Sequence, residues 1–276
     1  MDPRIASPVA PLLAGATALS PGLVRVVAPN PSPLTLDGTN SYVVFGADRR
    51  AIVVDPGPVA ASHLELLEAV VESEGVKVVA VVTTHSHPDH SEALELAGEL
   101  FSVPAVRAAE LLIGAQAGLL GSLLTAVPTP GHSSDHVCYL TSGGVLLTGD
   151  HVLGRGTTAV LYPDGNLTDY LASLARVDEI GFSLLAPGHG PALEAGIARA
   201  TLRYYREHRF ERLEQVMAVV EEEPASIETI VAAIYGPLPD PLLAGAAAAS
   251  TLASLNYLGE RGDLVEEGGS YRSGPR

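Results

Sequence analysis

Through the first 190 residues apolar and polar positions alternate in short runs. These runs predict strands with helices between them. Val24-Arg25-Val26-Val27, Asn40-Ser41-Tyr42-Val43-Val44-Phe45 and Ala51-Ile52-Val53-Val54-Asp55 read as three strands. Pro29-Asn30-Pro31-Ser32-Pro33 parts the first two, and Pro56-Gly57-Pro58 closes the third. Helical periodicity follows over residues 63–72, a buried strand over 78–83 and a second helix over 91–100. Shorter strand signals lie near 103–106, 124–128, 136–141, 144–149 and 157–161. Residues 166–177 predict a helix, and 183–186 a last strand that runs into Pro187-Gly188-His189-Gly190. Helices interleaved with strands imply a layered α/β architecture, with sheets carrying helices on their outer faces.

The pattern changes after residue 192. Residues 193–223 predict one long helix or two joined ones, stopped by Pro224. Ser226 caps a helix over 227–234, with Glu228 in its first turn. Residues 237–241 form a turn, 242–258 an Ala-rich helix, and 264–271 a hairpin around Gly268-Gly269. Helices followed by a hairpin suggest a compact winged-helix-like domain. The expected division is an arm over 1–21, a catalytic domain over 22–192 and this C-terminal domain over 193–276.

Chemistry concentrates at predicted strand ends. The strand at 78–83 delivers Thr84-His85-Ser86-His87-Pro88-Asp89-His90, three imidazoles and a carboxylate in seven residues. Neutral imidazole and carboxylate are the N and O donors that zinc, iron and manganese accept. Asp55, His132 in Pro130-Gly131-His132, Asp150 in Gly149-Asp150 and His189 in Gly188-His189 also sit at or just beyond strand ends. Gly or Pro precedes most of them, as expected where backbone bends close to a ligand.

Charge narrows the options. The chain of 276 residues carries a formal net charge of −16. That argues against a protein that coats nucleic acid. A nuclease stays open, because metals and local arginines offset charge at the phosphates. Cys138 is the only cysteine, so no intramolecular disulfide forms and a reducing cytoplasm is compatible. The first 21 residues lack a basic n-region and a long apolar h-region, so no signal peptide is expected. No uninterrupted run reaches the ~18 apolar residues of a membrane span, and a soluble protein is expected.

In order and spacing, Asp55, the His85–His90 run, His132, Asp150 and His189 resemble the metallo-β-lactamase superfamily of hydrolases over roughly residues 40–190. The resemblance implies an αβ/βα sandwich with two divalent metal ions at one edge. Zinc is favoured, with manganese or iron as alternatives. It implies that His85, His87 and His132 bind one ion and that Asp89, His90 and His189 bind the other. Asp150 would bridge them, and Asp55 would orient a ligand histidine. Asp89 or Asp150 would also take up the proton of the attacking hydroxide. Two departures are informative. Cys138 does not stand where class B1 β-lactamases have a cysteine ligand, and position 87 is His where the redox di-iron branch resembles His-x-Glu-x-Asp. The first disfavours a β-lactam as substrate; the second favours hydrolysis over oxygen chemistry, and zinc over iron.

Ala28-Pro29-Asn30-Pro31-Ser32-Pro33, Leu36-Asp37-Gly38-Thr39-Asn40-Ser41-Tyr42 and the C-terminal segment resemble a narrower branch, that of β-lactamase-like protein 2. Its members include thioesterases acting on carrier-bound polyketide chains and a single-strand endoribonuclease. The expected substrate is a small-molecule or carrier-bound acyl ester or thioester, with single-stranded RNA as the alternative. A regulator that binds nucleic acid and keeps its metals for structure is the non-enzyme alternative. The oligomeric state, a homodimer included, stays open.

Other polar residues take blander readings. His63 and His208 read as helix-surface or structural groups, His136 and His151 as packing behind the ligands, and Cys138 as a buried small hydrophobe. The Leu119–Leu124 stretch reads as core. Arg199, Arg203, Arg206, Arg209 and Arg212, interleaved with Glu207, Glu211 and Glu214, read as a salt-bridged solvated face. An anion-binding edge is the alternative.

Overall fold

The computed structural model describes residues 15–112 and 117–274, which fall into two compact units. The first comprises residues up to Thr129, Asp135–Thr158 and Glu179–Thr201. It is built on two mixed sheets. The first sheet runs in the order β1 (Ala16–Ser20), β2 (Leu23–Val27), β3 (Asn40–Phe45), β4 (Arg50–Val54), β5 (Lys77–Val82), β6 (Ala105–Val106). Its first four strands are antiparallel neighbours, and β4, β5 and β6 run parallel. Helices α1 (Ala61–Glu74), α2 (Pro88–Ser91) and α3 (Leu94–Phe101) fill the crossovers, and the short α4 (Ala108–Leu112) and α5 (Ala117–Leu120) follow β6. The second sheet contains β7 (Leu124–Pro128), β8 (Val137–Thr141), β9 (Val145–Gly149), β10 (Leu184–Pro187) and β11 (Leu193–Glu194) in the spatial order β11-β10-β9-β8-β7, with β9 and β10 parallel.

Period-two alternation explains how the sheets stack. Tyr42 and Val44 of β3 and Ile52 and Val54 of β4 face the second sheet, where Tyr139, Val145 and Leu147 meet them. The intervening Val43, Ala51 and Val53 face the other way, onto Leu67 and Val70 of α1 and Leu94 and Ala97 of α3. Leu120, Leu123 and Leu124 join the inter-sheet layer, whereas Gly121 and Ser122 between them are exposed. The parallel pairs β4–β5 and β9–β10 bring four carboxyl ends to one edge of the sandwich. Asp55, the 83–90 loop, Asp150 and His189 leave the sheets there.

The second unit comprises Pro130–Ser134, Ala159–Asp178 and the chain from Leu202. It holds most of α6 (Leu167–Glu179) and of α7 (Ala195–Glu222), with α8 (Ile227–Tyr235), α9 (Pro241–Glu260) and the hairpin β12 (Leu264–Glu267)–β13 (Ser270–Ser273). Ser226 caps α8 as expected, its Oγ accepting from Thr229 N–H at 3.3 Å. By length and composition α9 is apolar enough to cross a membrane, but it packs on α8 and β12.

Several expectations need correction. Residues 1–14 of the expected arm lie outside the described residues, and Ala16–Ser20 is a strand paired with β2. The C-terminal unit does not begin at 193; it also takes in the 130–134 and 159–178 segments. No strand forms near 157–161; there the Thr158 side chain donates through Oγ1 to Asp150 O, and Ala159 O accepts from His132 Nδ1. The helix expected over 91–100 is two helices, and the first already starts at Pro88, whose fixed φ suits a first helical position. Residues 193–194 form β11 before α7 begins. His63 is buried, because it lies on the inward stripe of α1 with Leu67, Val70 and Val71. On α7, Arg209 is buried over the Tyr170 ring and Arg212 stacks on Tyr235. Among the described residues, Arg203, Arg206 and the interleaved Glu207, Glu211 and Glu214 form no ion pair with one another.

Truncating Leu147, buried between the sheets, should cost about 2–5 kcal/mol. Urea denaturation of Leu147→Ala measures it. A loss under ~1 kcal/mol would mean that the layer collapses freely around the gap.

Candidate metal centre

Asp55 follows β4 in a left-handed backbone conformation, φ 53°. This turns its carboxylate toward the end of β5. One oxygen accepts from Thr84 N–H at 2.6 Å. The other accepts from Thr84 Oγ1–H at 2.8 Å and from His90 Nδ1 at 2.9 Å. Thr84 Oγ1 has spent its proton on Asp55, so at 3.0 Å it accepts from His85 Nδ1. His189 points Nδ1 at Gly38 O, 3.2 Å away. These three partners are acceptors, and they fix the tautomers of His85, His90 and His189: each presents its lone pair on Nε2.

The inward-facing atoms lie close together. His90 Nε2 is 3.3 Å from His189 Nε2 and 3.3 Å from Asp150 Oδ1. His189 Nε2 is 3.3 Å from Asp150 Oδ1 and 3.2 Å from Asp89 Oδ2, which is 3.5 Å from His90 Nε2. Two lone pairs and two carboxylates thus face one point with no donor among them. Tetrahedral ligands at 2.0–2.1 Å from an ion stand ~3.3–3.4 Å apart. The donor set therefore fits a divalent cation. A second group overlaps it: donor atoms of His85, His90 and Asp150 fall within 4.8 Å of one another. The His87 ring packs edge-on against His85 at 4.6 Å.

Without a cation, protons take its place. Burial opposes charge on His189, but the Asp150 carboxylate beside it outweighs this and holds its pKa up to about 9. His90 is raised in the same way by Asp150, Asp55 and Asp89 against its burial. Burial raises Asp150, and the two imidazoles more than reverse this, holding it well below the usual carboxylate range.

His132 belongs to the second unit, where the Pro130–Ser134 loop seats it. Gly131, φ 133°, lies so close to the Tyr170 backbone that a Cβ would collide with it. His132 Nδ1 is 2.7 Å from Ala159 O, so this ring too carries its lone pair on Nε2. The seven remaining site residues named from sequence, Asp55, His85, His87, Asp89, His90, Asp150 and His189, meet within the first unit.

The run Gly38–Tyr42 matters more than its sequence suggested. Besides Gly38 O on His189, Thr39 Oγ1 donates to Asp89 Oδ2 at 3.4 Å. Asn40 Nδ2 donates to Pro187 O at 2.8 Å and to Gly190 O at 2.9 Å, and Tyr42 O–H donates to Pro187 O at 2.6 Å. Ser41 Oγ pairs with His63 Nε2 at 2.7 Å. His136 accepts Asp150 N–H on Nε2 at 3.2 Å and so holds the backbone of that residue. His151 packs 6.0 Å from the His136 ring, and burial pushes the Cys138 thiol up to about 12.

A family model, the metallo-beta-lactamase superfamily, matches residues 34–113 and 92–189. An atrochrysone carboxyl ACP thioesterase of Aspergillus fumigatus is 30% identical over 248 residues, covering 80% of this chain and 76% of that one. A beta-lactamase-like protein 2 homolog of Drosophila melanogaster is 27% identical over 268 residues, covering 86% and 87%. The crystal structure of a beta-lactamase domain protein from Burkholderia ambifaria superposes with a TM-score of 0.77 at 25% identity, covering 96% and 95%. The chain belongs to the metallo-beta-lactamase superfamily and is a hydrolase of that family. Its fold is the one the motif order implied. Family membership also sets aside the reading as a metal-stabilised regulator.

Two predictions follow from this geometry. A Cβ on Gly188 would stand 2.6 Å from both Asp150 Oδ1 and the His90 ring. Gly188→Ala should lower metal content by roughly tenfold or more at equal metal supply, as loss of ligand support does elsewhere; full content by elemental analysis would contradict it. The second concerns pH. The folded pKa of His189 lies above the unfolded 6.5, so its stabilising contribution is complete below about pH 6.5 and fades as pH climbs through about 9. Chelator-treated protein should lose thermal stability across that window, while metal-loaded protein should not. A flat profile for the chelated form would refute the assignment.

Proposed function

We propose that this protein is a dinuclear zinc hydrolase whose substrate is an ester or thioester, carried on a small molecule or an acyl carrier. The observation that carries this reading is the inward-facing set of lone pairs and carboxylates 3.2–3.5 Å apart. On the pattern of the family, Asp89, His90 and His189 would hold one ion and His85, His87 and His132 the other, with Asp150 shared by both. Two such ions would supply Lewis acidity for the carbonyl oxygen and a water acidified to a pKa near 7. The thioesterase named among the relatives supports a thioester substrate.

The side chains then have distinct tasks. Asp150, kept ionised by its two imidazole neighbours, binds cations and does not donate a proton at neutral pH. Asp89 is more open, 28% exposed, in the first turn of α2, where the helix dipole favours a carboxylate. Thr39 Oγ1 aims it, so Asp89 is placed to take the proton of the attacking water. Asp55 keeps both imidazole tautomers correct. The net charge of −16 disfavours a long polyanion, which places single-stranded RNA second. A lone, buried Cys138 fits a reducing cytoplasm.

Purified protein should contain two metal ions per chain under the dinuclear reading. It should hydrolyse acyl thioesters faster than single-stranded RNA, and chelation should stop the reaction. Asp150→Ala should lower thioester turnover by roughly 100-fold or more while leaving the circular dichroism spectrum in place. RNA cleavage at comparable rates, or full turnover by Asp150→Ala, would overturn the proposal.

A further inference from the structure

Two short loops flank His189. Gly38 O accepts from its Nδ1 at 3.2 Å, and Gly154 N–H donates to its carbonyl at 2.9 Å. One ion pair joins the loops: Arg155 Nη2 stands 2.6 Å from Asp37 Oδ1, with the side chains 47% and 62% exposed. An exposed pair of this kind contributes little to stability, because water screens both charges.

The loop carrying Asp37 does not need the pair for its shape. Asn30 Oδ1 accepts from Thr39 N–H at 2.9 Å, and Asn30 Nδ2 donates to Thr39 Oγ1 at 3.0 Å. Ser32 Oγ accepts from Thr35 N–H at 3.0 Å, and a Cβ on Gly38 would collide with Ala28 O. Arg155 likewise follows a fixed point, Gly154, whose Cα packs against Pro191 so closely that no Cβ fits. Of the five N–H donors of a guanidinium, one is engaged here, and Arg155 makes no other contact through that group among the described residues. A cation is thus held at the rim of the site, on rigid supports, by a partner that is easily exchanged.

In a chain of net charge −16 an anionic substrate needs such a local cation. The arms that carry activated acyl groups end in a phosphate, whose oxygens match the guanidinium fork in a way that the single Asp37 contact does not. We propose that Arg155 determines specificity by taking the phosphate of a phosphopantetheine-type arm, and that Asp37 holds the guanidinium until this phosphate displaces it. The proposal rests on the thioester reading above.

The test compares acyl-phosphopantetheine with acyl-pantetheine, which lacks only the phosphate. Wild type should show a lower KM for the phosphorylated form. Arg155→Ala should reduce that preference by roughly tenfold, and Arg155→Lys should restore part of it. Asp37→Asn, which removes the competing anion, should increase the preference. A merely structural role for the ion pair would make both losses act alike on both substrates. Repeating the series with acyl-coenzyme A and an acyl carrier protein separates the two sources of the arm. An effect of Arg155→Ala on the first marks free coenzyme, and an effect on the second alone marks a protein-borne arm. Calorimetric binding of phosphopantetheine and pantetheine reads the same preference without turnover. If no thioester is hydrolysed, the functional reading falls, and the binding series still decides the role of Arg155. A phosphate preference equal in wild type, Arg155→Ala and Asp37→Asn would overturn it.

Discussion

One buried carboxylate organises this site. Asp55 accepts three hydrogen bonds, two from Thr84 and one from His90, and is itself only 1% exposed. Through Thr84 Oγ1 its influence reaches His85 as well. Without Asp55, His90 would be free to carry its proton on the other nitrogen, and Thr84 would be free to donate to His85. Both changes would turn a lone pair away from the site. A single acceptor thus sets the proton positions of two imidazoles that touch each other, ring centroids 4.4 Å apart. The left-handed backbone at Asp55 is the local cost of aiming it there.

The sandwich supplies the remaining precision. Its two sheets have different strand orders, yet each contributes a parallel pair that ends at the same edge. Glycines let those ends approach: a Cβ on Gly149 would stand 2.5 Å from Thr84 Oγ1 and 2.8 Å from His136 Nε2. Asn40 and Tyr42, from the first sheet, bond to the backbone beside His189, which leaves the second. Ligands from both sheets are therefore fixed relative to each other by buried hydrogen bonds as well as by apolar packing.

Much of this was legible in the chain. Alternation located most strands; in β3 and β4 one face lies in the inter-sheet layer and the other against α1 and α3. The candidate metal-binding residues stood out because clustered imidazoles have no other good use beside a buried strand. An orienting role for Asp55 was implied by the family resemblance, and its hydrogen bonds to Thr84 and His90 suit that role. What stayed hidden depends on contacts distant in sequence. Nothing local marks Asn40 or Tyr42 as partners of Pro187, 147 and 145 residues away. His63 looked like a surface group because its partner, Ser41, lies on β3, far from α1 in sequence. The missing strand at 157–161 was obscured for the same reason: the Thr158 side chain bonds to Asp150 O and Ala159 O bonds to His132, and only the fold brings these partners near. The clue available was an unusual density of small polar residues in 38–41, inside and beside a strand otherwise made of Tyr, Val and Phe.

The bond from Asn40 to the His189 loop has a mechanical consequence. Coordination distances tolerate little change, a few tenths of an ångström, whereas apolar layers can slide further at small cost. Because the candidate ligands hang from both sheets, any substitution that shifts one sheet over the other alters their spacing directly. The centre is in effect a gauge of sheet alignment. Core substitutions far from the edge can then be sorted by whether they change metal affinity or only stability, and the sorting maps which parts of the sandwich move as rigid plates.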